Sequence, residues 1–128
     1  MDQTTVEEAF KTKQDKVLVE TRGLVTKVLD DDIEGTPHQR FILTANSGQT
    51  VLVLNNLERS YRLPVKDRQH VEVRGQYRWN RHGGLIHETH HDDRTPHQDG
   101  WIILTGINKR NSVTSGDYAK NSQLAQNP

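Results

Sequence analysis

The sequence predicts an all-β domain with one short N-terminal helix, and three observations carry that prediction. Apolar and β-branched residues alternate with polar ones over several separate stretches, the period expected of half-buried strands. Small polar residues and glycines stand between the stretches at hairpin spacing. Gly23 interrupts the longest stretch, at a point where a strand wrapping a small barrel must bend. Five strands in the order long strand, hairpin, crossover, hairpin fit a five-stranded OB-fold-like Greek-key barrel. An SH3-like barrel and an open five-stranded sheet share the strand count and stay open as alternatives.

Thr5 and Glu8 have capping-box spacing, and Val6, Ala9 and Phe10 follow at helical spacing, so residues 1–15 read as a helix lying on a larger body. From Lys16 to Leu29 the period becomes two, which predicts the first strand. Asp30 to Pro37 combines acids with turn residues and reads as a solvated loop, without the ligand spacing of an EF-hand. His38 to Ala45 and Thr50 to Asn55 form a hairpin around Asn46, Ser47 and Gly48. Both of its faces are apolar, so the hairpin is expected at the centre of the core. Leu57 to Arg68 loses the period and contains Pro64, as a crossover would. Gln69 to Trp79 regains it, and Leu85 to His90 reads as the fifth strand after a turn at His82, Gly83 and Gly84. Ile102 to Leu104 can still pair or pack, which ends the barrel domain (residues 16–105). Residues 106–128 are polar and are expected to form a mobile tail.

At 128 residues one domain is expected, and the hydrophobic content of 31% implies a small core. Without cysteine there is no disulfide and no thiol chemistry, so any metal needs His, Asp or Glu. No apolar run is long enough to span a membrane, and no secretory signal is visible. Net charge is zero, but residues 1–35 carry nine acids against five bases, whereas residues 59–81 carry seven bases against two acids. That asymmetry either focuses an anionic ligand or is an ordinary solvated strand face.

Four of the seven histidines, His87, His90, His91 and His97, fall between Gly83 and Trp101, with Asp92 and Asp93 beside them. Imidazole and carboxylate together suit a zinc-like divalent metal, with His87, His90, His91, Asp92 and His97 as candidate ligands. The plainer reading is that these side chains hold a loop through hydrogen bonds to backbone. On a strand, Ile86 faces inward and His87 and His91 outward. Trp79, in line with Val71 and Val73, reads first as core. If Tyr77, Trp79 and Trp101 instead border an open face, they can stack on bases or sugars while Arg40, Arg74 and Arg78 meet phosphates. No GxSxG elbow, phosphate-cradling loop or HExxH helix is present.

HQRFIL (His38 to Leu43), GQT (Gly48 to Thr50), Asn55, GQYRWN (Gly75 to Asn80), GGLIH (Gly83 to His87), THHD (Thr89 to Asp92), His97 and GW (Gly100, Trp101) occur in that order. In these motifs the chain resembles an uncharacterised bacterial family of small exported proteins, the domain of unknown function DUF3465, over roughly residues 5 to 105. The resemblance implies a compact barrel-like domain in a secreted or periplasmic location, with no activity to carry over. It singles out His38, Asn55, Trp79, Asn80, His87, His90, His91, Asp92, His97 and Trp101. Two positions depart from the family pattern, which has tryptophan where Glu88 stands and histidine where Leu54 stands.

Three functions follow as expectations. The first is an exported binding domain that grips single-stranded nucleic acid or an oligosaccharide, with His38, Arg40, Asn55, Arg74, Arg78, Trp79 and Trp101 as binding residues. The second is a metal-assisted phosphodiesterase or nuclease with His87, His91 and Asp92 as catalytic candidates and His97 in support. The third is a structural or partner-binding domain without a ligand.

Overall fold

The computed structural model describes residues 4–90 and 100–105, and residues 113–114 by backbone alone. Among these residues the fold is mostly β, one short helix and seven strands in a single mixed sheet. Helix α1 spans Val6–Lys11, and the strands are β1 (Val17–Asp32), β2 (His38–Ala45), β3 (Thr50–Asn56), β4 (His70–Arg78), β5 (Leu85–His87), β6 (Trp101–Thr105) and β7 (Val113–Thr114). No helix of the described residues is long and apolar enough to cross a membrane.

The pairings of five strands run in a closed circuit. β1 pairs with β2, β2 with β3, β3 with β5 in parallel, β5 with β4, and β4 returns to β1. β1 achieves this by serving two neighbours in turn, because Val17 to Leu24 pair with β4 and Gly23 to Asp32 pair with β2. The changeover falls at Gly23, the position where the sequence predicts a bend. A Cβ there would run into the Thr44 backbone, so only glycine lets the two chains approach this closely. A register shift between Val25 and Lys27 completes the bend.

Alternation along these strands sends Val19, Val25, Phe41, Leu43, Val51, Val53, Val71, Val73, Tyr77 and Ile86 into one buried core. Thr5 caps α1 by accepting the Glu8 N–H at 3.1 Å, and Val6 and Ala9 of the helix are buried in that core. At another end of the circuit the crossover inserts Leu63. Gln39 fixes it there, donating to Leu63 O at 2.7 Å and accepting from Leu63 N at 2.9 Å.

Four expectations need correction. The acidic stretch is not all loop, since β1 continues through Asp32, which pairs with His38. A ladder partner overrides the low strand propensity of aspartate when the side chains face water. The β2–β3 hairpin is core on one face only, and Ile42, Leu52 and Leu54 on its other face are half-buried. β5 stops at His87 and does not run to His90, because Glu88 adopts a left-handed backbone with φ 54°. Finally, the sheet exceeds five strands: β6 pairs with β4, and Val113–Thr114, in the segment read as tail, pairs with β6. The rest of that tail lies outside the described residues.

Candidate functional site

β5 and β6 lie end to end along the same edge of β4. His87 stands opposite Gln76 and Trp101 opposite Arg74, so a single register position, the one facing Gly75, separates β5 from β6, although Glu88 to Gly100 lie between them in sequence. Parity is kept, and His87 and Trp101 both point away from the core. The two ends of the excursion meet: Gly100 N donates to His90 O at 3.2 Å, and buried Thr89 donates through Oγ1 to Leu54 O at 2.8 Å. The absent side chain of Gly75 makes room for this, since a Cβ there would overlap Ile86, the Thr89 methyl and the His87 carbonyl. Segments whose ends are pinned in this way commonly carry function.

The histidine cluster enters this excursion. His87 is half-buried, with Nε2 2.8 Å from Gln76 Oε1. Burial holds its imidazole below the ordinary 6.5; Arg78 and His38 act in the same direction, and Glu88 and Asp15 oppose them. His90 is almost fully buried. His91, Asp92, Asp93 and His97 lie outside the described residues. Among the described residues no three His, Asp or Glu side chains gather to hold a metal.

The other sequence candidates separate. His38 Nδ1 sits 2.8 Å from Thr36 O, and Arg40 Nε donates to Asp30 O at 2.8 Å, so both hold the β1–β2 connection. Asn55 is fully buried, donating to Gln39 Oε1 and Tyr61 O at 3.1 Å each, and its Oδ1 has no partner among the described residues. Arg78 Nε donates to Asp15 at 3.0 Å. Trp79 is an anchor for α1: its ring lies 6.3 Å from Phe10 at 16°, its Nε1 donates to Phe10 O at 3.1 Å, and Lys13 Nζ stands 5.5 Å from the ring centre. Tyr77 is buried and donates to Gly83 O at 2.8 Å.

Arg74 and Trp101 do come together, on the outer face of β1, β4 and β6. Cross-strand register sets Glu20 beside Arg74 and Trp101, Arg22 beside Glu72 and Ile103, and Leu24 beside His70 and Thr105. Three recesses follow this seam. The first, about 180 Å³, is walled by Trp101, Glu20, Arg22 and Glu72. The second, about 200 Å³, shares Arg22 and Glu72 and adds Asn46 and His70. The third, about 560 Å³, shares His70 and adds Leu24, Thr26, Asp67 and Arg68. The groove therefore runs from the exit of the histidine-rich excursion to the turn before β4. Glu20, Arg22, Glu72 and His70 were not singled out as binding residues from sequence. Their alternation is visible there, but nothing local says that β1 and β4 are neighbours.

Fold and groove together define a small, mostly β domain with a shallow, mixed-charge cleft on one sheet face. A family model described as protein of unknown function (DUF3465) matches residues 1–110, and the chain belongs to that family. No curated protein and no solved structure matches the chain.

Proposed function

We propose that the chain is an exported, OB-like binding domain whose groove along β1, β4 and β6 holds an extended polar ligand, an oligosaccharide. The closed pairing order, with the parallel step between β3 and β5, supports the OB-like reading. The observation that carries the ligand is the recess walled by Trp101, Glu20, Arg22 and Glu72. An indole face suits the C–H face of a sugar ring, while the carboxylates accept hydroxyl protons and the guanidinium donates to hydroxyl oxygens. Two carboxylates, Glu20 and Glu72, share the recess with the indole and disfavour a phosphodiester backbone in the same place, and Trp79 is engaged by α1. The three confluent recesses suit a ligand of several units.

Titration with neutral oligosaccharides and with single-stranded oligonucleotides at low salt tests this reading. Saturable oligosaccharide binding that disappears in Trp101→Ala is expected. Binding of oligonucleotides alone, or binding indifferent to Trp101, sinks it.

A further inference from the structure

We propose that the Arg68–His70 end of the groove is an oxyanion subsite, so that the bound oligosaccharide carries a carboxylate or a phosphate. The sugar part rests on the function proposed above; the anion part stands on its own observations. From the Glu20 position to the Leu24 position β1 advances about 13 Å, which sets the spacing between the ring on Trp101 and the charged group.

Three of the arginines near this sheet are already engaged. Arg62 is ion-paired with Asp31, Arg78 with Asp15, and Arg40 is bonded to the Asp30 carbonyl. By contrast, the Arg22 and Arg68 guanidinium groups and the His70 imidazole have no hydrogen bond or ion pair among the described residues, and all three are exposed. They border the second and third recesses, the latter about 560 Å³ and within the usual range for ligand pockets. Leu24, 37% exposed, offers the body of a ligand an apolar contact there.

Arg68 also holds a left-handed backbone, φ 66°, in the turn between Lys66 and Gln69, where glycine is the residue of least strain. A strained arginine in a cleft points to a use for its side chain. Of the bordering acids, Glu20 stands toward Trp101, Glu72 stands beside Arg22 in the first and second recesses, and Asp67 is beside Arg68. Asp67 lowers the local field, so recognition depends on the guanidinium fork meeting paired oxygens more than on bulk charge.

Isotope-labelled protein titrated with glucose 6-phosphate, glucuronate and glucose tests the subsite. Saturable shifts at His70 and Arg68 with either anionic sugar, absent with glucose, are expected, and the responding sugar tells phosphate from carboxylate. In Arg68→Gly the affinity should fall at least tenfold while the thermal midpoint does not drop, because relief of the left-handed backbone offsets the looser unfolded chain. Arg22→Gln should weaken binding in the same direction and serves if the glycine variant folds poorly. Arg78→Gln, remote from the recess, should bind as the parent does. Parent-like affinity in the Arg68 and Arg22 variants, or shifts with glucose equal to those with the anionic sugars, overturns the subsite. If anionic sugars titrate His70 but neutral oligosaccharides leave Trp101 unaffected, the sugar-groove reading falls and the subsite stands; the reverse result removes the subsite alone.

Discussion

His87 shows how one side chain ties stability to pH. Its imidazole is held below the ordinary 6.5 chiefly by burial, so the unfolded chain takes up a proton more readily than the folded one does. Stability should therefore decline as pH falls below 6.5, and the decline should be complete once pH passes the folded pKa. Urea unfolding at pH 7.5 and 5.5 checks this: His87→Gln, which can still meet Gln76, should lose part of the pH dependence, and an unchanged slope would contradict the assignment. Asp15 acts at the other end of the scale. Its carboxyl is held low first by the Trp79 N–H and then by Arg78, so its contribution disappears only as pH falls below the ordinary carboxylate range. Tyr77 is pushed up to about 12 by burial, and its hydroxyl gives Gly83 O a buried donor. Tyr77→Phe leaves that carbonyl only the long 3.5 Å contact from Gln49 Nε2 and should cost about 1–3 kcal/mol, read as a lower urea midpoint at unchanged m-value.

At the scale of elements, the period of two was enough to set Ile86 inward and His87 outward, and the capping residues were enough to start α1 after Thr5. It was not enough to end β5, because a strand continues only as far as its partner allows. Here the partner position is Gly75, whose missing side chain admits Thr89 and turns the chain away from β4. The same limit hid the groove: Glu20, Arg22 and Leu24 alternate visibly along β1, but their meeting with Arg74, Glu72 and His70 depends on register across fifty residues of chain. Since one register position separates β5 from β6, replacing Glu88 to Gly100 by a single threonine should join the two strands without changing which faces are buried. Circular dichroism and urea unfolding should then show a folded chain with one transition, at a lower midpoint because the Thr89 contact with Leu54 is lost. A chain that fails to fold would mean that the excursion is part of the structural body and not an insertion into a strand.

For the molecule as a whole, the uneven charge of the sequence resolves into pairing between its two halves. The acidic segment of residues 1–35 and the basic stretch from Arg59 to Arg81 meet because β1 runs antiparallel to β4 and its far end reaches the crossover. Asp15 then pairs with Arg78, and Asp31 with Arg62. Both pairs are substantially exposed, so they add little to stability, but they neutralise arginines that would otherwise attract any polyanion. Sequence order showed the imbalance and could not show its cancellation, since charge along a chain becomes a surface field only after strands are placed. Removing the acids should uncover that field. Asp15→Asn combined with Asp31→Asn frees two arginines, whereas Glu34→Gln combined with Glu58→Gln changes net charge equally from exposed carboxylates that pair with no arginine among the described residues. On a heparin column the first double variant should elute at higher salt than the second, because the released guanidinium groups can engage sulfates directly. Identical elution of the two would show that net charge alone governs polyanion binding, and that the pairing across β1 has no masking effect.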